Sequence, residues 1–227
     1  MSSLRLILVR HAEVEAPYQR VFGGRIDMAL SPRGLEQAAA LAAFLAAHAP
    51  GLDAVYASPM RRVQQTLAPF RNNGAPEPTV LPELREVDFG DWTGLTYEQV
   101  LERFGVSADA WLDQLCADAI PNAEPSAAYR ARISASLRRI LDAHPRGQVA
   151  VYCHGGVIRM MLAVLLELPF AKTAMFQIDY ASVTELAIAP GRVRLEYLNL
   201  VPWRLSLLPT SAARRVESPG QHPARSG

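Results

Sequence analysis

The chain has 227 residues, half of them hydrophobic, and a formal net charge of +1. That length supplies one sizeable core, with room for an inserted subdomain. The near-zero charge lacks the basic excess expected of a nucleic-acid binder, and no run of about 18 or more apolar residues reads as a membrane span, so neither partner is expected.

In chain order, "LRLILV" from Leu4 to Val9 reads as a short strand covered on both faces, and Arg10 and His11 follow where the apolar run stops. The N-terminal stretch has neither a long apolar region nor a small-residue cleavage site, so a cytoplasmic protein is expected. Ser31-Pro32-Arg33-Gly34 opens an Ala-rich helix carrying Leu35, Leu41 and Leu45. "LDAVYA" is a second strand. Ser58 then reads as an N-cap with Pro59 at the first helical position, ahead of an apolar face of Met60, Val63, Leu67 and Phe70. From Gly90 to Gly147 the pattern is more helical: "TYEQVLERFG", "SADAWLDQLCAD" and "SAAYRARISASLRRILDAH". "QVAVYC" is a third strand, and Gly155-Gly156 leads into "VIRMMLAVLLEL", a helix apolar almost all round. Strands return at Ser182–Ala189 and Arg192–Asn199 around the turn Pro190-Gly191. From Pro209 the apolar content vanishes, which predicts a disordered tail over 209–227. The expectation is one α/β domain over 1–208: a three-layer sandwich with a mainly parallel central sheet and a small helical cap at about 90–147.

Two cysteines, Cys116 and Cys153, form no C-x-x-C pair and read as reduced core residues. His48 and His144 read as cations at helix C-termini, and His222 falls in the tail. No H-E-x-x-H motif or carboxylate cluster suggests a metal. "HAE" at His11–Glu13 matches half of a zinc deaminase signature, but the required P-C-x-x-C is absent. Glu13, Asp88 and Asp91 read as loop and helix-start charges.

Ligands of open α/β sheets bind beyond the carboxyl ends of the strands. One strand ends at Arg10-His11, another at Ser58 with Arg62 in the next helix, and a third at His154 with Gly155 opening a helix. With 23 basic residues in the chain, all but Lys172 arginine, an Arg-His dipeptide is expected about 0.5 times by chance and says little alone. Two histidines and two arginines at one sheet edge say more. Such groups repel one another unless an anion joins them, and a phosphoryl group suits arginine forks and helix N–H groups. A neutral imidazole there can attack phosphorus. A leaving alkoxide needs a proton donor, and "LPELREVDFGDWTGLTYEQV" offers Glu83, Glu86, Asp88 and Asp91 without distinguishing among them.

These segments resemble the histidine phosphatase superfamily, the phosphoglycerate-mutase-like fold. "LVRHAE" is similar to its L-V-R-H-G-E opening. "FGGRIDMALSPRGLEQA", "SPMRRVQQT", "LREVDFGDWTG" and "VYCHGGVIRMML" resemble its later motifs in the same order. The resemblance implies His11 as phosphorylated nucleophile, Arg10, Arg62 and His154 as ligands of the phosphoryl oxygens, and Glu86 as general acid and base. It places Phe22, Gly23 and Gly24 along the substrate, beside Gly155. Ala12 stands at a usual Gly, Val14 at a common Thr, Pro17 at a frequent Asn and Ala29 at a usual Pro. The implied activity is hydrolysis of a small-molecule phosphomonoester, without cofactor or metal, through phosphohistidine. The alternatives are mutase-type phosphoryl transfer and a non-catalytic phosphate-binding module. Oligomeric state is not legible.

Overall fold

The computed structural model describes residues 3–72 and 74–205. The tail expected over 209–227 lies outside the described residues. Seven helices, α1 (Pro32–His48), α2 (Arg61–Arg71), α3 (Tyr97–Phe104), α4 (Trp111–Cys116), α5 (Ser126–Ala143), α6 (Gly155–Leu165) and α7 (Pro202–Leu205), surround six strands among the described residues. The strands are β1 (Leu4–Arg10), β2 (Ala54–Ala57), β3 (Thr79–Val80), β4 (Gly147–Cys153), β5 (Val183–Ala189) and β6 (Arg192–Leu200), in the sheet order β3-β2-β4-β1-β5-β6.

The expected α/β sandwich is present. β3, β2, β4 and β1 pair in parallel, and β5 enters antiparallel between β1 and β6. The apolar run Leu6–Val9 of β1 follows from its central place, because alternate residues feed different layers. Leu4, Leu6 and Leu8 join Val149, Val151, Ile133, Leu137 and Ile140 in one core cluster. Ile7 and Val9 join Val55, Ala150, Leu41, Leu45, Val63 and Leu67 in the other. The sheet therefore carries α1 and α2 on one face and α5 and α6 on the other. Of the helical stretch 90–147, residues of α3 and α4 reach over the sheet edge, whereas α5 packs into the first cluster.

Ser31 is the N-cap of α1: its Oγ accepts from the Gly34 N–H at 2.9 Å and donates to Glu13 Oε1 at 2.7 Å. Leu35 departs from the reading. It is exposed, because the buried face runs through Ala38, Leu41, Ala42 and Leu45 and Leu35 lies off it. α2 starts later than expected. Met60 is its N-cap, and Ser58 is instead occupied by His154. Gly155 and Gly156 form the first turn of α6. β3 was not anticipated; two residues carry no periodicity. Cys153 is buried as read, but Cys116, the last residue of the short α4, is exposed, while Leu112 and Leu115 are that helix's buried residues. Both thiols are free. His48 ends α1 and meets Glu185 at 2.8 Å, beside an Arg5–Glu185 ion pair of 2.5 Å. His144 follows α5 and pairs with the Tyr56 hydroxyl at 3.0 Å. No helix among the described residues is long and apolar enough to cross a membrane.

Candidate active site

At the carboxyl end of the sheet lies a cavity of about 460 Å³. Eight of the nine site residues expected from the sequence line it: Arg10, His11, Phe22, Gly23, Gly24, Arg62, Glu86 and Gly155. The ninth, His154, is fully buried just behind, with its ring 5.3 Å from that of His11.

His11 is fixed from several sides. Its backbone N–H donates to Cys153 O at 3.0 Å, and its carbonyl accepts from Ala181 N at 3.1 Å. The next residue, Ala12, donates its N–H to Thr66 Oγ1, and Thr66 in turn donates to the Arg62 carbonyl. The strand that ends at His11 and the helix that carries Arg62 are thus tied together. His11 Nδ1 lies 2.8 Å from the Ala12 carbonyl oxygen, which can only accept. The proton therefore sits on Nδ1, and Nε2 keeps its lone pair. Burial, then Arg62 and Arg10, hold the His11 pKa well below its ordinary value, so the ring is neutral.

His154 has the opposite tautomer. Its Nδ1 accepts from Arg62 Nε at 3.2 Å, so Nε2 carries the proton and donates to Ser58 Oγ at 2.9 Å. Burial, then Arg62, His11 and Arg10, keep this ring neutral too. Arg62 is steered further by the Ile26 and Gly24 carbonyls, at 2.8 and 3.1 Å. Gly24 can present its carbonyl because it adopts φ +45°, which favours glycine. Burial lowers the Arg62 pKa to about 10, against the opposing pull of Glu86 and Asp27. The guanidinium still stays charged near neutral pH.

Arg10 donates NH1 to Ile178 O at 2.5 Å and stacks over the Tyr180 ring at 4.2 Å, while its buried Nε has no partner among the described residues. A buried donor without an acceptor is costly, and an anion in the cavity would satisfy it. Glu86 stands among these cations. Its Oε2 accepts from the Gly156 N–H at 3.0 Å, its Oε1 accepts from Val87 N at 3.0 Å, and the Tyr129 hydroxyl is 3.5 Å away. One N–H of the α6 N-terminus, expected to face the phosphoryl group, thus serves the carboxylate. Among the four acids left open by sequence, Glu86 alone lines the cavity. Asp88 pairs with Arg25 at 3.1 Å, Asp91 accepts from Asn122, and Glu83 is exposed.

Three contributors were missed. Arg159 lines the cavity one helical turn after Gly155, a spacing that could have flagged it. Tyr180 lies under Arg10 and 5.6 Å from the His11 ring. Arg132 on α5, paired with Glu124 at 2.6 Å, grips the carbonyls of Glu83, Arg85 and Glu86 and so sets the backbone that carries the acid. Neither of the last two has a local signal, because each acts across the fold. Pro17 is exposed and off the cavity, and Ala12 needs no positive φ.

Arg10, Arg62 and Arg159 therefore face one carboxylate at this end. The surplus of positive charge suits a phosphoryl dianion. A bare, neutral imidazole nitrogen beside it is chemically a nucleophile. Among the described residues no group of three or more His, Cys, Asp or Glu is placed to hold a metal.

The family model for the histidine phosphatase superfamily (branch 1) matches residues 6–201. The chain is 31% identical over 201 residues to an adenosylcobalamin/alpha-ribazole phosphatase of Salmonella typhimurium, covering 86% of this chain and 96% of that protein. It is 29% identical to phosphoserine phosphatase 1 of Hydrogenobacter thermophilus, covering 87% and 92%. The solved structure of a mycobacterial glucosyl-3-phosphoglycerate phosphatase superposes with TM-score 0.77 at 26% identity, covering 87% and 99%.

Proposed function

From the premise that the chain belongs to the histidine phosphatase superfamily, we propose that it hydrolyses a small phosphomonoester by way of a phosphohistidine on His11. The observation that carries this reading is the His11 tautomer: the Nδ1–H bond to Ala12 O leaves Nε2 bare in a neutral, immobilised ring. The Nε2 lone pair attacks phosphorus in line. The P–O bond to the alcohol breaks, and Glu86, entering the step as the carboxylic acid, gives its proton to the leaving oxygen and is left as the carboxylate. Arg10 and Arg62 stabilise the charge on the transferring oxygens, an effect worth roughly 3 kcal/mol for a well-placed donor. His154 holds Arg62 in register through Nδ1. In the second step Glu86 takes a proton from water as the water oxygen bonds to phosphorus, and His11 leaves as the neutral imidazole.

Relatives named for different substrates support the general reaction and leave the alcohol open. The test is a phosphomonoester screen combined with rapid quench and intact-mass measurement. The wild type gains one phosphoryl group that survives base and is lost in acid. His11→Ala gains none and does not turn over. Near wild-type turnover by contaminant-free His11→Ala would refute the assignment.

A further inference from the structure

Beyond the phosphoryl end, the cavity wall has its own chemistry. Phe, Trp and Tyr make up 7% of the chain, yet they supply about a quarter of the residues around this cavity. Four of the rings touch in series. Tyr97 meets Phe22 at 5.2 Å between centroids, Phe22 meets Phe89 at 5.1 Å, and Phe89 meets Trp111 at 5.5 Å. Phe22 and Phe89 are buried, whereas Trp111 is half-buried and Tyr97 exposed, so the ends of the series open toward solvent.

We propose that this wall selects phosphomonoesters of small alcohols that carry a flat aromatic ring and no second anionic group. The inference rests on the phosphatase reading and names the substrate class for it. Aromatic side chains in edge and tilted contact present both faces and edges, which suit another planar ring. A volume of about 460 Å³ lies within the roughly 300–1,000 Å³ of small-molecule sites, so a ring and a phosphoryl group fit together.

The charges argue against a second anion. The lining cations are Arg10, Arg62 and Arg159. Arg159 spends NH1 on the Thr173 and Phe176 carbonyls. Arg159 lies one helical turn after Gly155, which packs against the Arg10 guanidinium, so these charges gather at the phosphoryl end. Asp109 lines the cavity two residues before Trp111, at the aromatic end. It is exposed, and among the described residues no cation pairs with it. A carboxylate or second phosphate on the alcohol would meet this uncompensated charge, whereas a neutral or cationic ring would not.

The experiment compares kcat/KM for 2-phenylethyl phosphate, 2-cyclohexylethyl phosphate and 3-phosphoglycerate in the wild type, Trp111→Ala and Asp109→Lys. The phenyl ester should exceed the cyclohexyl ester about 10-fold, the scale of one good aromatic contact. It should exceed 3-phosphoglycerate about 100-fold or more. Trp111→Ala should erase the phenyl advantage, and Asp109→Lys should raise kcat/KM for 3-phosphoglycerate about 10-fold. Equal use of 3-phosphoglycerate and the phenyl ester by the wild type would overturn the proposal, as would a phenyl advantage that survives in Trp111→Ala. If Trp111→Ala does not fold, the wild-type ratios and the exposed Asp109→Lys variant decide. If no ester turns over, the phosphatase reading fails separately. Calorimetry then compares 2-phenylethylphosphonate with 2-carboxyethylphosphonate: tighter phenyl binding supports the aromatic site, and equal binding overturns it.

Discussion

Gly156→Ala separates the acid from the fold. A methyl group built at Gly156 comes within 2.5 Å of Glu86 Oε1 and 3.1 Å of the Tyr129 hydroxyl. Ordinary contact begins near 3.4 Å, so the carboxylate must retreat by roughly 1 Å. The clash falls on the far end of a side chain, and the backbone can stay in place. Gly156 lies in the first turn of α6, where alanine gains up to about 1 kcal/mol in helix propensity. Stability should therefore change by less than about 1 kcal/mol in either direction. A misplacement of this size costs on the order of 100-fold in a step that depends on the displaced group. Hydrolysis of an alkyl phosphate should fall by about that factor, and hydrolysis of p-nitrophenyl phosphate, whose leaving group needs little protonation, by much less. Thermal denaturation and paired kcat/KM values measure both halves. Undiminished alkyl phosphatase activity in a folded variant would refute the placement of Glu86 as the proton donor.

Other perturbations probe the same geometry. Glu86→Gln should slow alkyl esters far more than aryl esters; equal losses with an undiminished burst of the aryl product would move the acid role elsewhere, with Asp88 first to examine. His11 and His154 have depressed pKa values in the folded protein, so the unfolded chain binds more protons below about 6.5. Their contribution to stability is complete above that pH and is lost as pH falls toward the folded values; Tm should drop in this window, and His154→Asn should flatten the drop. With 3-phosphoglycerate and a trace of 2,3-bisphosphoglycerate, phosphate release should outpace formation of 2-phosphoglycerate, because a small cap leaves water as the acceptor. Faster isomerisation would favour a mutase.

The legible parts of this protein are those with local chemistry. β1 betrayed its central position through the apolar run Leu6–Val9, and the polar residues at its end marked the site edge by the general rule for open α/β sheets. Glu86 could not be told from Glu83, Asp88 and Asp91 by composition. Its selection depends on Arg132 and Gly156, which lie far along the chain. The tautomer of His11 depends on one backbone carbonyl, and the position of Tyr180 on a loop between α6 and β5. Ser58 misled because a Ser-Pro pair is a common helix start, while here its hydroxyl meets His154. The aromatic wall joins residues from four separate segments, and only the packed chain brings them into line.

The placement of β1 also has a consequence in time. It is made before the other strands of the sheet among the described residues, yet its neighbours on both sides, β4 and β5, follow it by well over 100 residues. At about 5–20 residues per second, the roughly 140 residues between β1 and β4 take on the order of 7–30 s to synthesise. Throughout that interval this apolar strand has both hydrogen-bonding edges unpaired, a form prone to association between nascent chains. Yield should therefore depend on translation speed and on holdase chaperones more than the stability of the finished protein would suggest. Shortening that wait by circular permutation, with new termini at the Gly51 turn and the old ends linked, would place β1 late in synthesis beside strands already made.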